Sequence, residues 1–420
     1  MKKSIDRAPH LLMLLTQDLE SPSGLGRYFP LAKYLVREGY RVSILALHPN
    51  YADLEEKQFV RDGVQVRYVA QMHVRKADNK TYYFSPLSLI NVSVNATKGL
   101  YRAARQKSAD IILVGKPHPM NGLAGWLSSR HNKSALIVDC DDYEAESNHT
   151  KSNWQKKVLR FFENSLPKKA DLVTTNTYFM KDYMITHGVP ENKIAYIPNG
   201  VDAERFSPPS EEKLYSLKQS HGLQGKRIVG YFGSLNLANH PVDLLVRSFK
   251  LLSEKTENIS LLIVGGGKDL EKLRLQSEQL GIADKVVFTG RVPSDQMNLY
   301  YRLADVSVDP VNDTLADRGR CPLKLFESWY MGVPVVSSDV GDRKILMGNQ
   351  MADLLAEAGD EVSLSEVLAN YFSSNQTIEE LRVIVRNRSA EFNWAAIARN
   401  TKLLFSNRFN EEKTGITQKD

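Results

Sequence analysis

Lys324 and Glu327 lie three residues apart in Arg318-Gly-Arg-Cys-Pro-Leu-Lys-Leu-Phe-Glu-Ser-Trp-Tyr-Met-Gly-Val-Pro-Val-Val336. Residues at that spacing are neighbours on one helix face. Pro322 suits a first helical turn because its fixed φ is already helical. Gly332, with Pro334 just beyond, is a usual C-terminal stop, and Val335-Val336 reads as the strand that follows. A helix entered through Arg318 and Arg320 with free backbone N–H groups is an anion site. An ionised carboxylate such as Glu327 accepts hydrogen bonds from two vicinal hydroxyls at once. Taken alone, Glu327 reads equally as a solvated helix carboxylate, and Arg318 and Arg320 as an exposed basic loop.

Other stretches carry chemistry-bearing residues. Gly24-Leu-Gly26 precedes a helical pattern but lacks the third glycine of a dinucleotide fingerprint and the Lys-Ser/Thr of a P-loop. Arg27 beside it is a natural anion contact. Asp139-Cys-Asp141-Asp142 has the hard oxygen ligands that hold a divalent ion, but two residues are a weak motif. The same carboxylates suit the lining of a ligand cleft or the cap of the next helix, and no metal is expected. Gly265-Gly-Gly267 permits close backbone approach to a ligand or tight strand–helix packing. Trp154, Val158, Phe161, Phe162 and Leu166 recur at helical spacing among Lys156, Lys157, Arg160, Lys168 and Lys169. Such a helix lies on an anionic bilayer or packs its stripe on a sheet.

The elements that position these residues alternate strand and helix, the pattern of parallel sheets covered on both faces. Strands are expected at Leu11–Leu15, Val42–Leu47, Val64–Tyr68, Ile111–Val114, Ala135–Asp139, Leu172–Thr175 and Ile194–Ile197. A second series starts at Ile228–Phe232, with strands at Leu261–Val264, Val286–Phe288, Val306–Val308 and Val335–Ser337. Helices are expected over Tyr28–Arg37, Ala96–Lys107 and, in the tail, Ser363–Phe372, Ile378–Glu391 and Trp394–Asn407, with a frayed end after Arg408. Gln71–Asn91 reads as an irregular excursion and Ser207-Pro-Pro-Ser210 as a linker. The division expected is 1–207, 208–390 and a final segment 391–420 whose helix returns toward the first domain.

Composition fits a soluble globular chain of two domains: 420 residues, 42% hydrophobic and 25% charged. Leu11–Leu15 is too short for a signal sequence or a membrane span. Cys140 and Cys321 make neither a disulfide framework nor a zinc site and suit a reducing compartment. A net charge of +6 serves a phosphorylated ligand, an anionic membrane or nucleic acid alike. No nucleic-acid module accompanies it, and no nucleic-acid partner is expected.

Pro198-Asn-Gly-Val-Asp202, Arg205-Phe-Ser-Pro208, Gly230-Tyr-Phe-Gly233, Leu261-Leu-Ile-Val-Gly-Gly-Gly267, Val287-Phe-Thr-Gly290 and Glu327…Gly332-Val-Pro-Val-Val336 occur in that order. In combination they resemble the retaining glycosyltransferases of the group 1 (family 4) type. The resemblance implies a GT-B fold, α/β, with two doubly wound Rossmann-like domains facing an interdomain cleft. It implies a nucleotide-sugar donor in the C-terminal domain and an acceptor in the N-terminal one. The anomeric configuration would be retained, with no cofactor and no metal.

The family signature is a glutamate, seven residues and a second glutamate that binds the ribose. Glu327 matches the second position; the first falls on Gly319. The arginine and lysine that usually neutralise the diphosphate correspond here to Ser234, next to Gly233, and His240. Fixed cations matter there because the leaving group gains charge in the transition state. Arg320 and Lys324, with Arg318, are the expected replacements, beside Pro322 and Leu323 and aided by His240 when protonated. Arg291 and Val292 match the loop that holds the base through backbone groups. Gly24, Gly26 and Arg27 match the N-terminal glycine loop, and Asp141 and Asp142 are assigned to the acceptor side. His118 stands where a family histidine reaches the sugar or acceptor, or is a loop hydrogen-bonder.

The implied activity moves a sugar from a UDP- or GDP-sugar to a hydroxyl of a cell-surface glycan or lipid-linked acceptor. The expected place is the cytoplasm, with peripheral contact to the inner face of the plasma membrane. Two rivals are a sugar-nucleotide epimerase on the same fold and a nucleotide-sugar-binding protein that has lost turnover.

Overall fold

The computed structural model describes residues 8–77, 80–147, 153–374 and 378–414. They form two compact units. The first comprises the described residues within 8–199, 319–321 and 394–414, and the second those within 200–318 and 322–393.

The first unit holds β1 (His10–Leu15), β2 (Arg41–His48), β3 (Gln58–Arg61), β4 (Val64–Gln71), β5 (Val74–Ala77), β6 (Lys80–Tyr83), β7 (Ile111–Gly115), β8 (Ala135–Cys140), β9 (Leu172–Thr175) and β10 (Ile194–Tyr196). Its helices include α1 (Phe29–Arg37), α2 (Pro86–Arg105), α3 (Pro119–Asn132), α4 (Glu144–Ser147) and α5 (Asn153–Ser165). Eight strands pair in the order β10-β9-β8-β7-β1-β2-β4-β3. All are parallel except β3, which runs against β4. β1 explains the arrangement: every residue from Leu11 to Leu15 is buried. Leu12 and Leu14 enter the core on one face of the sheet. Leu11, Met13 and Leu15 enter the core on the other. A strand apolar on both faces needs helices on both. The terminal helix Trp394–Thr414 supplies one cover: Trp394, Ile397, Ala398 and Phe405 share a core with α1.

Two expectations need correction. The described residues of Gln71–Asn91 are mostly regular: β5 and β6 pair antiparallel, and α2 begins at Pro86. Ser85 caps it, accepting from Ser88 N. The Ser-Pro pair was the overlooked signal, since Pro at N1 after a Ser cap starts a helix. The last helix runs past Arg408 to Thr414.

The second unit holds β11 (Arg227–Phe232), β12 (Ile259–Val264), β13 (Val286–Gly290), β14 (Val306–Asp309), β15 (Val335–Ser338) and β16 (Leu355–Ala356). These pair, all parallel, in the order β13-β12-β11-β14-β15-β16. In both sheets the chain reverses direction of winding once, between β1 and β7 and between β11 and β14. Ligands of open parallel sheets bind beyond the carboxyl ends of strands at such switch points.

Candidate functional site

In the second unit, β11 is followed by Gly233, whose φ is +156°. A Cβ at Gly265 would lie 1.8 Å from the Gly233 carbonyl oxygen, and one at Gly267 would lie 2.2 Å from that of Leu235. These glycines therefore let the β12 turn lie against the end of β11. Beside it, the helix Leu323–Tyr330 starts after Pro322, which sits at the N-cap and not inside the first turn. It ends in a Schellman arrangement: Gly332 N donates to Trp329 O at 2.9 Å and Val333 N to Ser328 O at 2.9 Å, with Gly332 at φ +73°.

This helix delivers Lys324 to the switch point. Lys324 Nζ lies 3.2 Å from Asp309 Oδ1 at the end of β14 and 4.5 Å from the centre of the Tyr231 ring. A Cβ at Gly233 would be 3.6 Å from it. Arg343 Nε donates to the other Asp309 oxygen at 2.9 Å. Burial alone would raise the Asp309 carboxyl; Arg343 and Lys324 instead hold it well below the usual range. Burial opposes the Lys324 charge, but Tyr231 and Asp309 keep the ammonium protonated. A fixed cation thus faces the end of β11.

Glu327, one helical turn on, keeps part of its carboxylate exposed. Tyr301 Oη donates to Glu327 Oε2 at 2.8 Å, and Arg205 Nη1 lies 3.9 Å from Oε1. The Tyr301 ring is packed against Phe206 and Phe232. Ser234 is exposed and its carbonyl accepts from Tyr231 Oη at 3.0 Å. His240 closes the turn before the helix Val242–Lys255, its N–H donating to Asn236 O. Arg291 and Val292 follow β13, with the Arg291 stem over Gly266. Leu323 is half-buried at the helix start.

The structure therefore gathers Gly233, Lys324, Glu327, Pro322 and Leu323 around one strand end. Arg318 stands apart. It closes a separate short helix, Leu315–Arg318, and pairs at the surface with Asp313 at 2.6 Å. Arg320 clusters with the first unit. So does Gly319, where a Cβ would stand 3.2 Å from Tyr143 Cβ and 3.3 Å from Met180 Sδ. The missing glutamate thus falls at a position crowded against its neighbours.

In the first unit, Gly24–Tyr28 forms a π-helical turn before α1. A Cβ at Gly24 would lie 2.4 Å from Asp18 O, and Gly26 O accepts from Trp394 Nε1 at 3.1 Å. Arg27 departs from expectation. It is buried and engages Asp139 with two hydrogen bonds, Nε to Oδ2 at 2.8 Å and Nη2 to Oδ1 at 2.6 Å. Nη1 donates to Ile197 O and Asn199 Oδ1, both at 3.0 Å. A guanidinium so occupied pins β8 to the chain after β10 and is not presented to a ligand anion.

The carboxyl ends of β7 and β8 carry a constellation that the sequence reading named only in part. Lys116 adopts φ +61°, a left-handed conformation that costs a non-glycine residue about 1 kcal/mol or more. Asn121 Nδ2 donates to the carbonyls of Leu14, Gly115 and Lys116. Lys116 Nζ lies 2.6 Å from Asp142 Oδ2, 2.6 Å from Glu144 Oε1 and 3.5 Å from Asp141 Oδ1. These three carboxylates are spaced as cation ligands, and the cation among them is this lysine. His118 Nε2 pairs with Glu144 Oε2 at 2.7 Å, and Nδ1 with Thr16 Oγ1 at 3.1 Å. Both ring nitrogens are therefore engaged within the cluster.

Burial beside Asp142 and Asp139 pushes the Asp141 carboxyl well up against the pull of Lys116. Glu144 is held below the carboxylate range by Lys116 and His118, against its burial. His73 is neutral, lowered to about 4 by burial and by His118. Its Nδ1, Gln17 Nε2 and Asp18 Oδ1 are buried with no hydrogen-bond partner among the described residues. Sequence reading missed Lys116, Glu144, His73, Asp309 and Tyr301. The available signal was position: Lys116 and Asp309 are charged residues at the ends of apolar parallel strands.

Two doubly wound α/β units, their sheets parallel but for β3, have the architecture of the GT-B fold. Residues 226–374 match the family described as glycosyl transferases group 1, and residues 23–200 the glycosyl transferase 4-like domain. The chain belongs to this glycosyltransferase family and is a nucleotide-sugar-dependent transferase.

Among its relatives is the D-inositol 3-phosphate glycosyltransferase of Corynebacterium jeikeium, 24% identical over 72% of this chain and 74% of that protein. Another is the GDP-mannose-dependent alpha-(1-6)-phosphatidylinositol monomannoside mannosyltransferase of Mycolicibacterium smegmatis, 24% identical over 61% of this chain and 65% of its own length. Anabaena HepE, solved with UDP and glucose, superimposes with a TM-score of 0.72 at 16% identity, over 94% of this chain and 99% of that one.

Proposed function

We propose that the chain transfers a hexose or amino-hexose from a UDP- or GDP-sugar, with retention at the anomeric carbon, to a hydroxyl of a cell-surface glycan or its lipid carrier. The observation that carries this reading is the Lys324–Glu327 pair on one helix at the β11/β14 switch point, with Glu327 held by Tyr301. Glu327 would accept from the ribose hydroxyls, and Lys324 would face the diphosphate. The Arg291–Val292 loop would take the base, and Ser234 and His240 would stand on the diphosphate side. On the first unit, Lys116, His118, Asp141, Asp142 and Glu144 would meet the acceptor.

In the step itself the C–O bond to the diphosphate breaks and the acceptor oxygen bonds to the anomeric carbon. The departing diphosphate oxygen takes the acceptor's proton on the face of attack. No protein base is obligatory, and the protein contributes position and charge. We place no metal in this step, since Lys324 is a fixed cation at the donor switch point. The relatives that act on phosphatidylinositol mannoside or bind UDP support a lipid-linked or glycan acceptor and these donor classes. Among the described residues no helix is long and apolar enough to cross a membrane. The location we propose is cytoplasmic and peripheral to the inner face of the plasma membrane.

Release of UDP or GDP from a panel of nucleotide sugars with acceptor extracts tests the reading. A panel with neither turnover nor binding overturns it. The crowded Gly319 favours a second reading, a nucleotide-sugar-binding protein without turnover, for which affinity persists and transfer stays at background.

A further inference from the structure

On α5 the apolar residues divide between two faces. Phe162 and Leu166 turn inward: a Cβ at Gly122 of α3 would stand 3.5 Å from Phe162 Cδ1 and 2.8 Å from Leu166 Cδ2. Trp154, Val158 and Phe161, at i, i+4 and i+7, are exposed, Phe161 by 65%. α3 packs on α5, and α2 packs on α3, and each exposes apolar residues of its own. On α3 these are Leu123 and Leu127. On α2 they are Leu87, 81% exposed, Ile90 and Val94. Nothing in Pro86–Asn95 is buried, so the first half of α2 contributes little to the core. Tyr82 and Tyr83 of β6 are exposed just before it.

Basic side chains accompany this surface. Lys157, Arg160 and Lys168 line a shallow depression with Phe161, Asn164 and Ser165. From 153 to 169 the sequence carries Lys156, Lys157, Arg160, Lys168 and Lys169 against a single acid, Glu163. Glu163 is fully buried, accepting from the N–H groups of Glu144 and Ala145. Lys156 and Arg160 share Glu146, which leaves the stretch cationic.

We propose that α5, with the exposed residues of α3 and α2, docks on an anionic phospholipid bilayer. Trp154, Phe161, Leu87 and Ile90 would enter the headgroup–acyl boundary, and Lys157, Arg160 and Lys168 would meet lipid phosphates. Aromatic and basic residues on one side of a helix are the composition such interfaces favour. A second copy of the chain is the poorer occupant, because a two-fold interface would set this cationic depression against itself. The surface gives the peripheral location proposed above a definite place, and it needs no turnover to be measured.

Flotation of the full chain with phosphatidylcholine vesicles, and with mixed phosphatidylcholine–phosphatidylglycerol vesicles, tests the assignment. Binding is expected to the mixed vesicles only and to weaken at high salt. Trp154→Ser with Phe161→Ser should lower the partition at least about tenfold, and Lys157→Glu with Lys168→Glu should remove the preference for anionic lipid. Thermal melting of each variant matched to the parent chain verifies folding.

Equal partition of the parent chain to both vesicles, or variants that float like the parent, overturns the proposal. A dimer that Phe161→Ser dissociates, with no flotation, assigns the face to a second copy and overturns it too. An inactive chain that still floats breaks the transfer reading alone; an active one that does not float breaks the docking alone.

Discussion

Tyr301 donates its hydroxyl to Glu327 Oε2 at 2.8 Å from a ring locked between Phe206 and Phe232. The tyrosine is buried while the carboxylate is partly exposed. One oxygen is therefore fixed from within, leaving the other oxygen's lone pairs and one of its own for a ligand's hydroxyls.

Tyr301→Phe should weaken nucleotide binding by roughly three- to tenfold, the value of one ordinary net hydrogen bond of about 1 kcal/mol. It should also narrow the preference for ribo- over 2′-deoxyribonucleotides. Glu327→Ala should cost roughly tenfold or more and abolish that preference. Calorimetric titration of both nucleotide series checks the pair, and an unchanged preference in Glu327→Ala means that the ribose lies elsewhere.

Lys324→Ala should lower kcat roughly a hundredfold or more, as the loss of one fixed stabiliser of developing charge does. Stability should fall as well, because Asp309 keeps only Arg343 as its cation. Single-turnover donor consumption separates the two effects from binding.

Arg27 and Asp139 form a buried two-point pair. Arg27→Met leaves the carboxylate with the Thr174 hydroxyl but no counter-charge, and removing one partner of such a pair costs about 3–5 kcal/mol. Denaturant unfolding is the measurement. An effect below about 1 kcal/mol, the range of surface pairs, would mean that Asp139 finds another donor.

Glu163 is pushed up to about 8 by burial and by Glu144, against an ordinary 4.5. A carboxyl raised in the folded state contributes stability that is complete below pH 4.5. That contribution is lost as pH rises through 8. Glu163→Gln, which mimics the protonated form, should therefore flatten stability against pH across that window. It should raise melting relative to the parent chain at pH 8 more than at pH 5. Parallel pH–melting curves would contradict the assignment.

Gly319→Glu restores the family signature on paper. Its Cβ would meet Tyr143 and Met180 at 3.2 and 3.3 Å, and crowding of that kind costs about 1–3 kcal/mol. The expected outcome is a lower melting temperature without higher transfer, read by calorimetry and by nucleotide release.

Much was determined by sequence alone. Leu11–Leu15 and Ile228–Phe232 are strands because their runs suit burial between helix layers. The helix at 323–330 was legible from Pro322 and Gly332, and Lys324 and Glu327 share it because three residues make nearly a turn. Ser85-Pro86 marks the start of α2 as well, although the charged and aromatic run around it reads as irregular. These are local facts, fixed by backbone sterics and short hydrophobic periods.

Partnership was decided only by tertiary structure. Arg27 looked like an anion contact until β8 brought Asp139 to it across 112 positions. Arg318 looked like part of the helix opening until Asp313 claimed it at the surface. Lys116 meets Asp142 and Glu144 because β7 and β8 are adjacent in the sheet, and Lys324 meets Asp309 because its helix returns to the end of β14. Strand order gathers distant segments at one sheet edge. It follows from the global packing of apolar faces, a property no local window of residues contains.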